Sequence, residues 1–257
     1  MKLDRQYVEK VWGRDQLPPM FDPPAGQRIG EVWFTGASDE PLLVKYLFTS
    51  ERLSIQVHPD DVHARARGLP SGKSECWIII DAEPGAKLGL GLTHKVSKDE
   101  LRATALDGSI EQLIDWRSVD AGEVFMVPAG TIHAIGGGIS LIEFQQNVDV
   151  TYRVYDYDRP RELHLEDAVE VAKPDPYPDE DLAQRLSDAD TQTLGDGRQF
   201  ILIHTNRDML PDRRRWIIPL EGEVSAEGGA CRPGDCLLLD AGARVEVDGR
   251  VLIGAKH

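Results

Sequence analysis

The stretch that decides the fold is Glu123–Gln146, which reads EVFMVPAGTIHAIGGGISLIEFQQ. It contains three runs rich in Val, Ile, Leu and Phe, and each run has the length of a β-strand. Pro128–Gly130 separates the first run from the second, and Gly136–Gly138 separates the second from the third. Because glycine and proline favour turns, the stretch predicts short strands joined by tight connections.

Similar apolar runs, punctuated by glycine and proline, recur through the chain. We predict further strands at Leu42–Phe48, Leu53–Val57, Cys76–Ile80, Lys87–Leu90, Thr151–Tyr155, Phe200–His204, Arg215–Leu220, Cys236–Leu239 and Arg244–Val247. Helices are fewer and short, and we predict them at Asp60–Arg67, Ser97–Leu106 and Leu163–Lys173. Many short strands with such turns predict a mainly β fold, an antiparallel sandwich or jelly-roll barrel.

A composition shift divides the chain. The segment KPDPYPDED at Lys173–Asp181 combines three prolines with dense acidic residues, which is typical of a linker or an extended surface strap. We therefore predict a main β domain at 1–175, a linker or helical strap at 176–199 and a smaller β module at 200–257. We expect the module to be a reduced copy of the first domain and to have a packing role.

The composition excludes several classes of function. Among 257 residues, 44 Asp and Glu outnumber 29 Lys and Arg, so the formal net charge is −15 at pH 7. Nucleic acids and anionic membrane surfaces both require a basic face, so we expect neither as a partner. No apolar run resembles a signal peptide or a membrane span. Three cysteines, an odd and small number, predict reduced thiols and a cytoplasmic protein.

The segment Ser54–Pro59, SIQVHP, carries polar residues at alternate positions of a predicted strand. Alternate residues of a strand face the same side, so Ser54, Gln56 and His58 project together. A solvent-exposed sheet face would explain this segment if it stood alone. Inside a barrel, these polar groups would need hydrogen-bond partners or a ligand.

Comparable polar sets occur on other predicted strands, and they are Lys73 with Glu75, His133 after a glycine turn, Glu143 with Gln145, and Arg153. Taken singly, each is explained by a surface ion pair or a hydrogen-bonded core histidine. Their joint occurrence, one set on each strand, favours an inward-facing site. Gln56, His58, Glu75 and His133 together offer two imidazoles, a carboxylate and an amide oxygen. This mixture favours zinc, with manganese, cobalt or iron possible in principle, in an open site without thiolates.

Four motifs in this order resemble one enzyme family. They are QVHPDD at 56–61, K-x-E-x-W at Lys73–Trp77, VPAGTIHAIGGG at 127–138 and QQNVDVTYRVYDYDR at 145–159, with weaker echoes at Val11–Gly13 and Gly30–Trp33. The set is similar to type I mannose-6-phosphate isomerase (phosphomannose isomerase), a family of zinc-dependent cupins, and covers roughly residues 5–175. The absence of room for a large helical domain matches the short bacterial form of this family.

The resemblance implies roles for individual residues. It implies one zinc ion per chain held by Gln56, His58, Glu75 and His133, active-site roles for Arg153, Lys73 and Glu143, and a phosphate side formed by Lys45, Ser54 and Arg153. It also implies the interconversion of mannose 6-phosphate and fructose 6-phosphate through an enediol. Either Glu143 or Lys73 could be the base that moves the proton, and the sequence does not choose between them.

Two other functions fit the same residues. The two histidines and Glu75 could form the facial triad of an Fe(II) cupin oxygenase, although the nearby cations suit a polyanionic substrate better. A non-catalytic, sugar-phosphate-binding cupin is the other alternative. In each case we expect a small-molecule partner, and we expect the chain to be a monomer or a homodimer.

Overall fold

The architecture is that of a computed structural model, which describes residues 1–36, 40–227 and 229–257. The strands are β1 (Asp4–Arg14), β2 (Ile29–Thr35), β3 (Leu42–Phe48), β4 (Ile55–Val57), β5 (Glu75–Ala82), β6 (Lys87–Leu92), β7 (Ile114–Ser118), β8 (Glu123–Val127), β9 (His133–Ile135), β10 (Ile139–Gln146), β11 (Tyr152–Tyr155), β12 (Ala183–Arg185), β13 (Thr191–Asp196), β14 (Phe200–Thr205), β15 (Arg215–Ala226), β16 (Gly229–Cys231), β17 (Leu237–Leu239) and β18 (Val245–Lys256). The helices are α1 (Asp61–Ala66), α2 (Lys98–Asp107), α3 (Ile110–Leu113), α4 (Leu165–Val171) and α5 (Asp179–Leu182). The expectation of a mainly β chain with a few short helices is therefore confirmed.

Two antiparallel sheets form the part of the chain that precedes β13. The seven-stranded sheet has the order β1-β2-β3-β10-β5-β8-β12, and the five-stranded sheet has the order β11-β4-β9-β6-β7. Apolar side chains of the two inner faces, including Trp77, Leu141 and Ile135, form one core cluster between the sheets. This sandwich is a cupin-type β fold, as the strand and turn pattern predicts.

Helices α1 and α2 begin where the sequence places capping residues. The Asp60 carboxylate accepts hydrogen bonds from the backbone N–H groups of Val62 and His63 at the start of α1. The Ser97 hydroxyl accepts one from the backbone N–H of Glu100 at the start of α2. Such caps satisfy donors that have no partner within the helix. Helices α2, α3 and α4 contribute to a second core cluster together with strands β4 and β9.

The last five strands and β13 form a third sheet, which packs on the outer side of the seven-stranded sheet. Its order is β13-β14-β18-β15-β16, with β17 paired to β15. Phe144 of β10 packs edge-to-face against Phe200, with 5.0 Å between the ring centroids, and also contacts Trp216. A Cβ on Gly254 of β18 would lie 2.3 Å from the Phe144 ring, so only glycine allows the two sheets to approach this closely.

Strand β10 therefore lies between two layers. Phe144 faces the C-terminal sheet, whereas Leu141 and Glu143, which alternate with it, face the five-stranded sheet. The same alternation holds in β3, where Tyr46 belongs to the outer cluster and Leu47 to the inner one. The polar residues of the site are thus carried by strands that are packed on both faces.

Several strands were not predicted from the sequence. Strand β1 was missed because it alternates charged and apolar residues and lies half-exposed at the edge of its sheet. Strand β2 follows a loop rich in proline and glycine and carries the polar Glu31 inside an otherwise apolar run.

The three cysteines are free and buried. In the part of the chain that the structure describes, no helix is long and apolar enough to cross a membrane.

Candidate metal centre and active-site cavity

The two sheets bring three predicted ligands together. His58 follows β4, Glu75 begins β5 and His133 begins β9, and their ligand atoms all lie within 4.8 Å of one another. Each of the three residues is at most 1% exposed. The fourth predicted ligand, Gln56, pairs directly opposite His133 in the β4–β9 ladder. The structure thus assembles residues that are separated by up to 75 positions in the chain.

A backbone carbonyl selects the tautomer of His133. Its Nδ1 lies 2.9 Å from the carbonyl oxygen of Thr131, which only accepts, so Nδ1 carries the proton and donates. The Nε2 lone pair is then directed at the cluster, 4.0 Å from Glu75 Oε2. A hydrogen bond from the second ring nitrogen to a carbonyl is the usual arrangement for a metal-binding histidine.

Both imidazoles are held neutral. Burial lowers the pKa of His58 to about 3, and the Lys73 ammonium lowers it in the same direction, against the opposing charge of Glu75. Burial also lowers the pKa of His133. Neutral imidazole is the form that binds a metal ion. The 3.3 Å contact between His58 Nε2 and Glu75 Oε1 is consequently a contact between a neutral ring and a carboxylate.

The carboxylate of Glu75 is ionised and lacks a full set of donors. Burial would raise its pKa, but the Lys73 ammonium, 2.5 Å from Oε1, brings that pKa well below the usual range. Glu75 Oε2 is buried and accepts no hydrogen bond from any described residue. A buried carboxylate oxygen without a donor is costly unless it is paired or coordinates a cation. The three side chains therefore fit a divalent metal ion.

Gln56 joins this cluster to the cavity beside it. Its Nε2 lies 3.2 Å from His133 Nε2, while its Oε1 accepts a hydrogen bond from the Ser54 hydroxyl at 3.3 Å. A 180° rotation of the amide would present the oxygen, the atom that a metal ion takes, to the cluster.

A cavity of about 310 Å³ adjoins the cluster. This volume lies in the range of small-molecule sites, roughly 300–1,000 Å³. It is lined by Lys10, Trp12, Glu31, Lys45, Leu47, Leu53, Ser54, Gln56, Lys73, Ile135, Glu143, Asp149, Thr151, Arg153, Arg161 and His164. Every residue that the sequence assigned to catalysis or to the substrate lies on this wall. Gln56 and Lys73 belong to the wall and also contact the His–Glu–His cluster.

Glu143 and Lys45 form a buried pair on the wall. Lys45 Nζ lies 3.4 Å from Glu143 Oε1, and the Trp77 indole donates a hydrogen bond to Glu143 Oε2 at 3.1 Å. Burial and the charge of Glu75 raise the pKa of Glu143, and Lys73 and Lys45 oppose that change. A raised pKa brings a carboxylate closer to the range in which it exchanges protons near neutral pH.

Lys73 has the opposite tendency. Burial would lower its pKa, but the carboxylates of Glu75 and Glu143 outweigh burial and raise the pKa above its ordinary value. Its Nζ lies 2.5 Å from Glu75 Oε1 and 3.4 Å from His58 Nε2. Lys73 therefore remains an ammonium ion, which makes it a source of positive charge and a poor base.

Arg153 lies on β11, directly opposite Gln56 of β4. Its guanidinium donates a hydrogen bond to the carbonyl of Glu162 at 3.2 Å, and no carboxylate among the described residues lies within ion-pair distance of it. Its free donors are available to an anion in the cavity. The backbone of Arg153 also exchanges hydrogen bonds with His164, whose backbone N–H donates to the Arg153 carbonyl at 2.9 Å.

Sequence reasoning assigned no role to several residues of the wall. One of them is His164, which is partly buried and lines the cavity. Its polar context, in the segment RELHLED, gave no signal of this position. Glu31 and Lys10 come from β2 and β1, whose weak motif echoes near Trp12 and Trp33 were the available signal.

Comparisons with known proteins identify relatives of this chain. The mannose-6-phosphate isomerase of Streptococcus mutans is 45% identical over 211 residues, which span 66% of this chain and 66% of that protein. The mannose-6-phosphate isomerase ManA of Bacillus subtilis is 40% identical over 231 residues, 73% of each chain. No protein-family model matches the chain.

Solved structures agree with the fold. The crystal structure of mannose 6-phosphate isomerase from Bacillus subtilis superimposes with a TM-score of 0.84, at 30% identity, over 100% of this chain and 98% of that one. A structure of zinc-bound mannose 6-phosphate isomerase shares the fold, with a TM-score of 0.73 at 14% identity over 99% of this chain and 98% of that one. Sequence relatives and backbone thus lead to one assignment: the chain belongs to the mannose-6-phosphate isomerase family.

Proposed function

We propose that the chain interconverts mannose 6-phosphate and fructose 6-phosphate in a metal-dependent reaction. One observation carries this proposal: a buried His58–Glu75–His133 cluster adjoins a small cavity that contains both a carboxylate base and several cations. The names of the relatives supply mannose 6-phosphate as the substrate, and the family resemblance implies fructose 6-phosphate as the product. The residues supply groups for proton transfer and for binding an anionic sugar.

We propose zinc as the metal, one ion per chain, held by His58, Glu75 and His133 with Gln56 as a fourth ligand. Two neutral imidazoles and a carboxylate are common zinc ligands, and an open position is typical of catalytic sites. Bound there, zinc would polarise a sugar oxygen as a Lewis acid. The zinc-bound structure with the same fold is consistent with this choice.

Glu143 is the proposed base. An aldose–ketose isomerase removes the proton on C2 of the aldose and returns it to C1, and one group can perform both steps. A carboxylate with a raised pKa suits this exchange, whereas Lys73 is held as an ammonium ion. Lys73 instead supplies positive charge where negative charge develops on the enediolate oxygen.

The phosphate group is assigned to Arg153, Lys45 and Ser54. Arg153 has donors without a carboxylate partner among the described residues, and a guanidinium binds phosphate with two parallel hydrogen bonds. The net charge of −15 does not oppose this binding, because the cations on the cavity wall are local. The excess acidic charge is then a property of the outer surface, where it favours solubility.

Location and assembly are part of the same proposal. Three free, buried cysteines fit a reducing compartment, and we propose that the protein is cytoplasmic. The residues assigned to the metal, the base and the phosphate all belong to one chain, and we propose a monomer or a homodimer.

The test is a coupled assay for fructose 6-phosphate formation from mannose 6-phosphate, with and without a chelator. We expect turnover by the zinc-loaded protein, loss with chelator and recovery with zinc. Binding of the sugar phosphate without turnover would establish the non-catalytic alternative. Oxygen consumption with Fe(II) in place of isomerisation would establish the oxygenase.

A further inference from the structure

A row of four directly paired residues crosses the seven-stranded sheet on its cavity-facing side. Trp33 of β2 lies opposite Lys45 of β3, Lys45 lies opposite Glu143 of β10, and Glu143 lies opposite Trp77 of β5. Side chains of directly opposed residues in neighbouring strands lie close enough to interact. The row therefore places two opposite charges between two indole rings.

Each neighbour in the row makes a polar contact with the next. The Lys45 ammonium lies 4.4 Å from the centroid of the Trp33 ring and 3.4 Å from Glu143 Oε1. The Trp77 indole donates to the other oxygen of Glu143 at 3.1 Å. Lys45 is 2% exposed and Glu143 is 4% exposed, so these contacts act with little screening by solvent.

Trp33 is itself anchored by Glu31, two residues earlier on the same face of β2. The Trp33 indole N–H donates a hydrogen bond to Glu31 Oε2 at 2.6 Å, and Lys10 Nζ lies 3.4 Å from the same oxygen. A buried carboxylate accepting from an indole is a strong, charge-assisted contact. It helps to orient the ring that faces Lys45.

We infer that Trp33 is a positioning residue, whose ring holds the Lys45 ammonium against Glu143 and so keeps the base in the geometry for proton transfer. This inference rests on the proposed isomerase function and extends it. A lysine has a flexible four-carbon stem, and its ammonium is a point charge without a preferred direction. The ring restricts where that charge lies, because it attracts a cation along the normal to its plane.

The test compares two substitutions of the same residue in the zinc-loaded protein. Trp33→Leu removes the ring system, whereas Trp33→Phe keeps an aromatic face but loses the second ring of the indole and its N–H. A desolvated cation–π contact of about 2 kcal/mol corresponds to about 30-fold in rate, so we expect Trp33→Leu to lower kcat by about 10- to 30-fold. We expect KM for mannose 6-phosphate to change less than about threefold, and Trp33→Phe to retain kcat within about threefold.

A matched control is Trp116→Leu in β7. Trp116 is also partly buried and donates its indole N–H, to the carbonyl of Glu111 at 3.2 Å, but it lies in the edge strand of the five-stranded sheet and is not part of the row. We expect kcat to be unchanged in this variant. If Trp33→Leu does not fold or bind zinc, Trp33→Met, with an unbranched side chain, replaces it under the same criteria.

The outcomes separate this inference from the proposed function. An inactive wild-type protein that binds zinc would refute the isomerase proposal. An active wild type with kcat unchanged in Trp33→Leu would overturn the positioning role. Equal losses in Trp33→Leu and Trp33→Phe, or a loss confined to KM, would also overturn it, because a structural or binding role predicts those results.

Discussion

Replacing Lys45 with methionine should move the acid limb of the pH–rate profile. Lys45→Met keeps an unbranched side chain of similar length and removes the charge that lies 3.4 Å from Glu143 Oε1. Burial and the charge of Glu75 already raise the pKa of Glu143, and Lys45 opposes them. Without Lys45 the pKa must rise further, and the ionised base is lost at a higher pH.

The size of this change follows from the distance. At an effective dielectric constant of about 20, two unit charges 3.4 Å apart attract each other by about 5 kcal/mol. This energy corresponds to a change of roughly 3 to 4 in pKa as an upper limit. Lys73 also acts on Glu143 and water can enter the cavity, so we expect an observed rise of about 1 to 2 pH units.

The assay is the pH dependence of kcat/KM, which reports groups of the free enzyme and free substrate. The substrate phosphate, with a second pKa near about 6, titrates identically with every variant and cancels in the comparison. Lys45→Arg retains the charge and serves as the control, with an acid limb expected within about 0.5 pH units of wild type. An acid limb that stays in place in Lys45→Met would refute the assignment of Glu143 as the base whose ionisation Lys45 supports.

Further substitutions test other parts of the account. His133→Ala should lose both bound zinc and activity, and retention of stoichiometric zinc by elemental analysis would contradict the ligand set. Arg153→Ala should keep its zinc but lose turnover of mannose 6-phosphate. Normal steady-state isomerisation by this variant would contradict the role assigned to Arg153. Gly254→Ala would place a Cβ 2.3 Å from the Phe144 ring and should cost about 1–3 kcal/mol, lowering Tm by about 2–12 °C. Gly197→Ala meets only ordinary contacts and is the control, and equal Tm values for the two variants would show that the C-terminal sheet does not pack tightly on β10.

Local patterns in the sequence predicted most of the strands that carry the site, but they missed β1 and β2, which contribute Lys10 and Glu31 to the cavity wall. Runs such as Glu123–Val127 and Leu42–Phe48 coincide with β8 and β3, because apolar runs bounded by glycine and proline have few other structures available. The alternation in Ser54–His58 also predicted which polar residues share a face. The division at 175 and 199 remains a prediction.

Local sequence patterns could not predict which residues of distant strands lie opposite each other. The row of Trp33, Lys45 and Glu143 depends on the register of β3 against β10, whose paired residues are about a hundred positions apart. Local periodicity predicts a face for each strand, but it does not predict which residue lies opposite which. For the same reason the choice between Glu143 and Lys73 as the base required the structure, since it depends on how close each lies to Glu75.

The central claim is that this chain, with a metal at His58, Glu75 and His133, isomerises mannose 6-phosphate. Direct NMR observation of the sugar, with zinc-loaded protein and no coupling enzymes, tests it most directly. We predict that fructose 6-phosphate appears until equilibrium is reached, and that neither the chelated protein nor Glu143→Gln produces it at a comparable rate. Protein that carries one zinc ion per chain and leaves mannose 6-phosphate unchanged would contradict the claim.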